Sequence, residues 1–272
     1  MTGAAPLSVL VTARDEEETI GACLDSVGWA AEIVVVDSGS RDDTVAIARA
    51  HGARVLEHEY ESPARQKNWA LPQCAHEWVL ILDADERVPD ALRDEIRQLL
   101  ADGPRADGYW IRRENEFLGR VMRHGTWASD RVIRLVRRDR ARYDDRLVHE
   151  EIDLPGPLPQ LAQPLRHAAF RSFDQYWPKV DRYARWGAAE AWRRGRRASA
   201  ASVLGRTVAR FLRAYVVKAG FLDGGRGLVL AFFSSYTTFL KYARLWEMGL
   251  VERRAAPAAA KTKPGERESA AR

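Results

Sequence analysis

Cysteine is nearly missing from this 272-residue chain: Cys23 and Cys74 are its two thiols. Their spacing matches neither a metal site nor a redox pair. Each reads as a small buried hydrophobe, and a reducing compartment is the mild inference. Long apolar runs are also missing. The best stretch, Gly227 to Leu240, is broken by Ser234, Ser235, Thr237 and Thr238. It falls short of the roughly 18 residues that an ordinary transmembrane helix needs. The opening segment, MTGAAPLSVLVTARDEE, has no basic region ahead of its apolar run, so no signal peptide is expected. The glycines form neither G-x-G-x-x-G nor G-x-x-x-x-G-K-[ST], which removes the main support for dinucleotide-binding and P-loop readings. No serine sits in a nucleophile elbow, which disfavours a serine-triad hydrolase. No internal repeat and no nucleic-acid-binding motif stand out, and no nucleic acid partner is expected.

What is present describes a folded protein. Apolar residues make up 46% of the chain and charged residues 30%, a globular balance rather than a disordered one. The net charge of +5 hides an asymmetry. Counting Lys and Arg against Asp and Glu, residues 1–160 sum to −9, residues 161–250 to +11 and residues 251–272 to +3. The acidic part suits a metal site or an ordinary solvated surface. The basic part suggests an anionic partner.

The N-terminal half alternates short apolar runs with helical spacing. LSVLVTA, IVVVD, ARVLEH and VLILD read as strands. Residues 19–30, 42–51, 64–75 and 90–100 read as helices, the last opened by Pro89. Continuous apolar strands separated by helices predict an α/β fold with a mainly parallel central sheet, covered on both faces. GYWIRRENEFLG and DRVIRLVRR read as further strands with basic residues interleaved. Pro155, Pro157, Pro159 and Pro164 crowd the expected edge of a core spanning residues 1–165. Residues 166–250 read as a helical extension, interrupted by the glycine-rich GFLDGGRG. Residues 251–272 read as a disordered tail.

The sharpest local feature is VLILDADERV. Asp83 and Asp85 follow a buried strand directly, with Ala84 between them and Glu86 beside them. Ligands gather beyond the C-terminal ends of parallel strands, and paired carboxylates there suit Mg²⁺ or Mn²⁺ held against a diphosphate. The competing reading is two carboxylates capping the next helix. Earlier strand ends carry related groups: Thr12, Ala13, Arg14, Asp15 and Glu16 after the first, and Asp37, Ser38, Gly39 and Ser40 after the second. Asp37 suits a base or ribose as partner, and Gly39 permits a tight turn. Arg65, Lys67 and Asn68 fall on a helix near the same edge, where phosphate contact competes with simple solvation.

In order, TARDEEETI, DSGSRDDT, ARQKNWAL and LILDADERV resemble the nucleotide-site motifs of inverting glycosyltransferases of family 2, whose fold is GT-A, the nucleotide-diphospho-sugar transferase fold. The second half, with HGTWASDRVIRLVRR, DDRLVHEEI and GFLDGGRGLVLAFFSSYTTFLKYARLWE, resembles the branch that adds glucose to the inner core of bacterial lipopolysaccharide. That branch includes β-1,4-glucosyltransferases acting on heptose. The family's aromatic-Pro-Asp form is Ala-Ser-Asp here, at Ala128 to Asp130.

The resemblance implies a UDP-sugar donor, with glucose favoured, and a glycan or lipid-linked acceptor. It implies that Asp37 recognises uridine with help from Thr12 to Glu16, and that Arg65 and Asn68 lie at the donor. Asp83, Ala84 and Asp85 would bracket the metal–diphosphate unit, with Asp85 the direct ligand. Asp130 matches the catalytic base, and a pairing with Arg131 or Arg134 is the structural alternative. Glu150 is the competing base, and His149 completes the candidate metal set. The expected location is cytoplasmic, peripheral on the inner face of the cytoplasmic membrane. There the run Arg193, Arg194, Arg196 and Arg197, with Trp177, Trp186 and Trp192, would meet anionic lipid headgroups or position a phosphorylated lipopolysaccharide core, unless those aromatics pack in the core and the arginines are simply solvated. Two other readings suit the same residues: a non-enzymatic lipid- or glycan-binding protein that keeps a nucleotide-sugar fold, and transfer to a polyprenyl phosphate.

Overall fold

A computed structural model describes residues 5–144, 152–170 and 172–260 of the chain. The first strands and helices follow the alternation of the sequence. They are β1 (Ala5–Ala13), α1 (Ile20–Asp25), β2 (Ala30–Asp37), α2 (Thr44–Ala50), β3 (Arg54–Glu57), α3 (Pro63–Ala70), β4 (Trp78–Asp83), β5 (Glu86–Arg87) and α4 (Asp90–Asp102). Five strands come next: β6 (Gly108–Phe117), β7 (Arg120–Val121), β8 (Arg131–Arg137), β9 (Arg142–Tyr143) and β10 (Ile152–Asp153). After β11 (Leu165–Phe170) the chain is helical, with α5 (Phe173–Arg193), α6 (Ala200–Leu212) and α7 (Gly224–Ala260). A wide helical turn over Arg213–Val217 and a tight one over Gly220–Asp223 join α6 to α7.

Side-chain alternation along β1 sorts its residues between two apolar layers, because successive Cβ atoms point to opposite faces. Leu7, Val9 and Val11 join Ile20, Cys23 and Leu24 of α1 and Leu92 and Ile96 of α4. Leu10 joins Ala64 and Ala70 of α3 on the other face. β4 divides the same way: Leu80 and Leu82 go to the first layer, Val79 and Ile81 to the second. All of these strand side chains are fully buried. Truncating one such leucine to alanine costs about 2–5 kcal/mol.

The expected mainly parallel sheet is corrected by the strand pairing. Among the described residues the main sheet has nine strands, ordered β3-β2-β1-β4-β8-β6-β11-β5, with β7 on β6. Four pairings are parallel (β1 with β2 and β4, β2 with β3, β6 with β11). Four are antiparallel (β4 with β8, β6 with β7 and β8, β5 with β11). The sheet is therefore mixed. The cause is a gap one strand wide. The crossover through α4 sets β6 parallel to β4 without touching it, and β8 fills the space between them in the opposite direction. No helix separates β6 from β8, so their antiparallel pairing needs no crossover.

Phe117, Met122, Phe170 and Leu230 form a separate buried cluster that ties β6 and β11 to α7. The turn before α7 packs without slack. A Cβ added at Gly227 would lie 1.8 Å from the Gly220 carbonyl oxygen, and one at Gly220 would lie 2.6 Å from that of Ala214.

Candidate active site

The C-terminal ends of β1, β2 and β4 meet where two loops are stitched together. Asp37 is buried at the end of β2, and its Oδ2 accepts from the Gly39 and Ser40 amides, each at 2.9 Å. Gly39 takes φ +78°, which lets the loop fold back over the carboxylate. Across the gap, the Asp15 amide donates to Ser40 Oγ (2.9 Å) and Arg41 N donates to Asp15 Oδ1 (2.8 Å). Glu16 N reaches Thr44 Oγ1 at 2.8 Å. Asp15 holds φ +54°, an uncommon setting for a side chain with a Cβ. Arg14 lies at the surface, 3.8 Å from Asp15. Ala13 is buried and accepts from Ser38 N through its carbonyl.

From β4 outward the bonding becomes ionic. Asp83 Oδ1 lies 3.4 Å from Thr12 Oγ1 and 3.7 Å from Lys67 Nζ, while Oδ2 takes Arg134 Nη2. Arg134 also donates to Glu86 Oε1 at 2.8 Å, and Arg113 reaches the same oxygen at 3.2 Å. Arg113 continues to Asp130 Oδ2, from Nη2 at 2.7 Å and from Nε at 2.9 Å. Lys67, Asp83, Arg134, Glu86, Arg113 and Asp130 thus form one alternating row of charge. Glu86, Arg134 and Lys67 are buried within it. Burial opposes ionisation of Asp83, but Arg134, Lys67 and Arg113 outweigh it and hold the carboxyl well below its usual range.

A second branch leaves Asn115. Its Nδ2 donates to Asp130 Oδ2 (2.9 Å), and its Oδ1 lies 2.6 Å from His167 Nδ1. His167 Nε2 is 3.4 Å from Asp85 Oδ1. Burial alone would lower the His167 pKa, but the bond to Asp85 and its charge raise it. Burial likewise opposes, and the His167 bond and charge produce, a lowered pKa at Asp85. Strand periodicity accounts for the convergence: Arg113 and Asn115 share one face of β6, and β11 brings His167 into register with both Asn115 and Glu86.

The expected residues are thus divided by the fold. Thr12, Lys67, Asp83, Asp85 and Asp130 share the ionic network. Asp37, Asp15 and Glu16 belong to the neutral loop network beside it. Asp130 pairs with Arg113 and Asn115, rather than with Arg131 or Arg134. The Asn68 side chain closes two hydrogen bonds with the Tyr143 backbone, and Arg65 pairs with Glu61 (2.5 Å) at the surface. Ala84 is buried behind the carboxylates. His149 and Glu150 lie outside the described residues. Arg113, Asn115, His167 and Gln66, the last of which donates to Ser38 Oγ, were not singled out as site residues by the sequence. Alternation in RRENEF was the available signal for the first two.

Carboxylates kept ionised at strand ends are the right donors for a hard divalent cation, which often takes one or two protein carboxylates and completes its shell with substrate phosphate oxygens. Asp85 fits this better than Asp83, whose two oxygens face Lys67 and Arg134. Among the described residues, no group of three or more His, Cys, Asp or Glu side chains is arranged to hold a metal.

The family model for Glycosyl transferase family 2 matches residues 8–153. The lipopolysaccharide core biosynthesis glycosyltransferase LpsC of Rhizobium meliloti is 30% identical over 252 residues, covering 88% of this chain and 93% of that protein. An uncharacterized glycosyltransferase of Rickettsia typhi is 27% identical over 259 residues, covering 91% and 89%. Among solved structures, a glucosyl-3-phosphoglycerate synthase from Mycobacterium tuberculosis, in complex with Mn²⁺, UDP and glucosyl-3-phosphoglycerate, is 25% identical over 41% of this chain and 44% of its own, with a TM-score of 0.35. That likeness is too limited in extent to carry an argument about ligands. Since the family model spans more than half of the chain and LpsC aligns along nearly all of it, the protein belongs to glycosyl transferase family 2 and is a glycosyltransferase.

Proposed function

We propose that the protein transfers a hexose, glucose in the first instance, from a UDP-sugar to a heptose of the lipopolysaccharide core or a related glycan, with inversion at the anomeric carbon. The observation that carries this reading is the ionic row itself. It links Asp83 at the end of β4 to Asp130 through Glu86 and two arginines, so the groups assigned here to donor and acceptor share one bonded frame. The extended similarity to a lipopolysaccharide core glycosyltransferase supports the acceptor class.

In this reading Asp37 and the loop over Thr12 to Glu16 form the uridine end of the donor pocket. Asp85, beside Asp83, would hold Mg²⁺ or Mn²⁺, whose charge would offset that building on the departing diphosphate. Asp130 takes the proton of the attacking hydroxyl. Both guanidinium contacts and the Asn115 amide fall on its Oδ2, and among the described residues none holds Oδ1. The carboxylate is therefore oriented while one oxygen stays open to the acceptor. Holding donor and acceptor in line supplies much of the rate.

The test is product formation with a panel of UDP-sugars, Mg²⁺ or Mn²⁺, and heptose-containing core acceptor. Asp130→Ala is expected to lose about 10²–10⁴ in kcat while still binding the UDP-sugar. Asp85→Ala is expected to lose both turnover and metal-dependent donor binding. Transfer to a polyprenyl phosphate alone would replace the acceptor, and full activity in Asp130→Ala would remove the base.

A further inference from the structure

The helical part leaves a row of apolar side chains uncovered. Leu204, Val208, Leu212 and Val216 are all exposed, and their four-residue spacing puts them along one side of α6 and the wide turn that prolongs it. Phe221 and Leu222, also exposed, extend the row into the next turn, and the Tyr215 ring bridges to Phe221 at 6.3 Å. The opposite side carries Val203 of α6 and Ala214 of the wide turn into the protein, so this stretch is docked by one face and bare on another. Apolar residues exposed singly are ordinary, but a continuous row needs a partner.

Charge says which partner. Residues 200–226, which carry the row, contain five Lys and Arg and one carboxylate, Asp223. Asp223 is buried and bound to the His124 amide (2.8 Å) and ring (3.1 Å). Exposed Arg206 and Arg213 stand on the same elements as the apolar row and Arg226 on the first turn of α7; none of the three pairs with a carboxylate among the described residues, Arg206 lying over the Tyr242 ring and Arg226 donating to the Leu118 carbonyl. A second copy of the chain would bring cation against cation. A nucleic acid would gain nothing from a leucine and valine ridge. A bilayer with anionic headgroups satisfies both features, with the ridge in the interface and the arginines among the phosphates. Among the described residues, no helix is long and apolar enough to cross a membrane. By contrast, the arginine run after α5 is partly neutralised within the protein. Arg193 and Arg194 each pair with Glu190 at 2.7 Å, and Arg197 reaches Glu252 at 3.2 Å and lies over the Trp192 ring.

We propose that the outer face of α6 and the turns leading to α7, ridged by Leu204, Val208, Leu212, Val216, Phe221 and Leu222, is an interfacial docking surface for an anionic lipid bilayer. The surface is joined to the segment that ends at Asp130: Gly125 N donates to the Lys218 carbonyl (2.8 Å), and Lys218 Nζ donates to Ser129 Oγ (3.2 Å). Docking therefore fixes the acceptor side of the site relative to the membrane. The proposal does not depend on which sugar or acceptor is used.

Flotation of the full chain with phosphatidylcholine vesicles containing about 30% phosphatidylglycerol tests it. The parent should bind these vesicles, bind pure phosphatidylcholine more weakly, and lose affinity as salt rises. Leu212→Asp/Val216→Asp should weaken binding at least about tenfold, because both side chains leave the apolar layer. Val251→Asp, an exposed apolar control on α7, should bind like the parent. A second readout avoids charge insertion. Cys23 and Cys74 are buried, so Val216→Cys can be labelled alone with a polarity-sensitive dye. Its emission should shift to the blue on anionic vesicles, and that of a labelled Val251→Cys should not. Absence of vesicle binding, equal binding by the double aspartate variant, or a dimer in sedimentation that the same variant dissolves would overturn the proposal.

Discussion

Two neighbouring parts of the candidate site solve the same problem with different chemistry. Around β1 and β2, buried or crowded carboxylates are satisfied by neutral donors: Asp37 by the amides of its own loop, Asp15 by Arg41 N, Glu32 by Ser8 Oγ and the Ala75 amide besides Arg54. Around β5, β6 and β8 the carboxylates of Asp83, Glu86 and Asp130 are satisfied mainly by guanidinium groups. Neutral bonding is local and forgiving, since each loss strands one group. The ionic row is shared, so removing one member strands several, and unpaired charge in a buried place costs far more than an unpaired amide.

The sharpest break in that contrast comes from Arg134→Met. It leaves both Asp83 and buried Glu86 short of a cation, and about 3–5 kcal/mol of stability should be lost in urea unfolding. Adding Glu86→Gln should make the loss smaller than the sum of the two single variants, because the second change removes the stranded charge. Simple additivity would mean that the row is not a coupled unit. On the neutral side, Asp37→Ala should cost about 1–3 kcal/mol, as the Gly39 and Ser40 amides lose their acceptor. The effect should be insensitive to the state of Arg134, which a double-variant cycle would check. Ser62→Ala should cost about 1 kcal/mol by removing the cap that accepts from Arg65 N at 3.2 Å at the start of α3. A loss of that size in thermal unfolding is the outcome to look for.

The smallest effect is a slope. Burial opposes ionisation of Glu32, but bonds from Ser8, Ala75 and Arg54 lower its pKa below the usual 4.5. A lowered folded pKa adds stability that is fully present above the unfolded value and is lost as pH falls through the folded one. Glu32→Gln should therefore narrow its deficit against the parent as the pH drops below about 4.5, as followed by the unfolding midpoint.

Much of the neutral half was legible in the sequence because its signals are local. Continuous apolar runs marked β1, β2 and β4, and the turn at Asp37 to Ser40 contains the acid, glycine and serine that bond to one another. Strand direction was not legible. DRVIRLVRR reads as a strand whichever way it runs, and only the gap left by the α4 crossover makes β8 antiparallel. Nor could the sequence show that Arg113, Asn115 and His167 converge. They lie on β6 and β11, more than fifty residues apart in the case of Asn115 and His167, and only sheet register brings them together. The two residues of β5 were too few to carry any periodicity.

The glycine pair in the turn ahead of α7 bears on how such enzymes can be recombined. With the Gly220 carbonyl pressed against the Cα of Gly227, and Asp223 between them gripping the loop that leads to Asp130, the two halves share a seam with no tolerance for a foreign side chain. A chimera that grafted residues 200–260 from a relative would have to carry the 122–130 loop with it. Crossing over inside the 220–227 segment should yield misassembled protein, whereas crossing over in the exposed stretch between α5 and α6 leaves the seam whole.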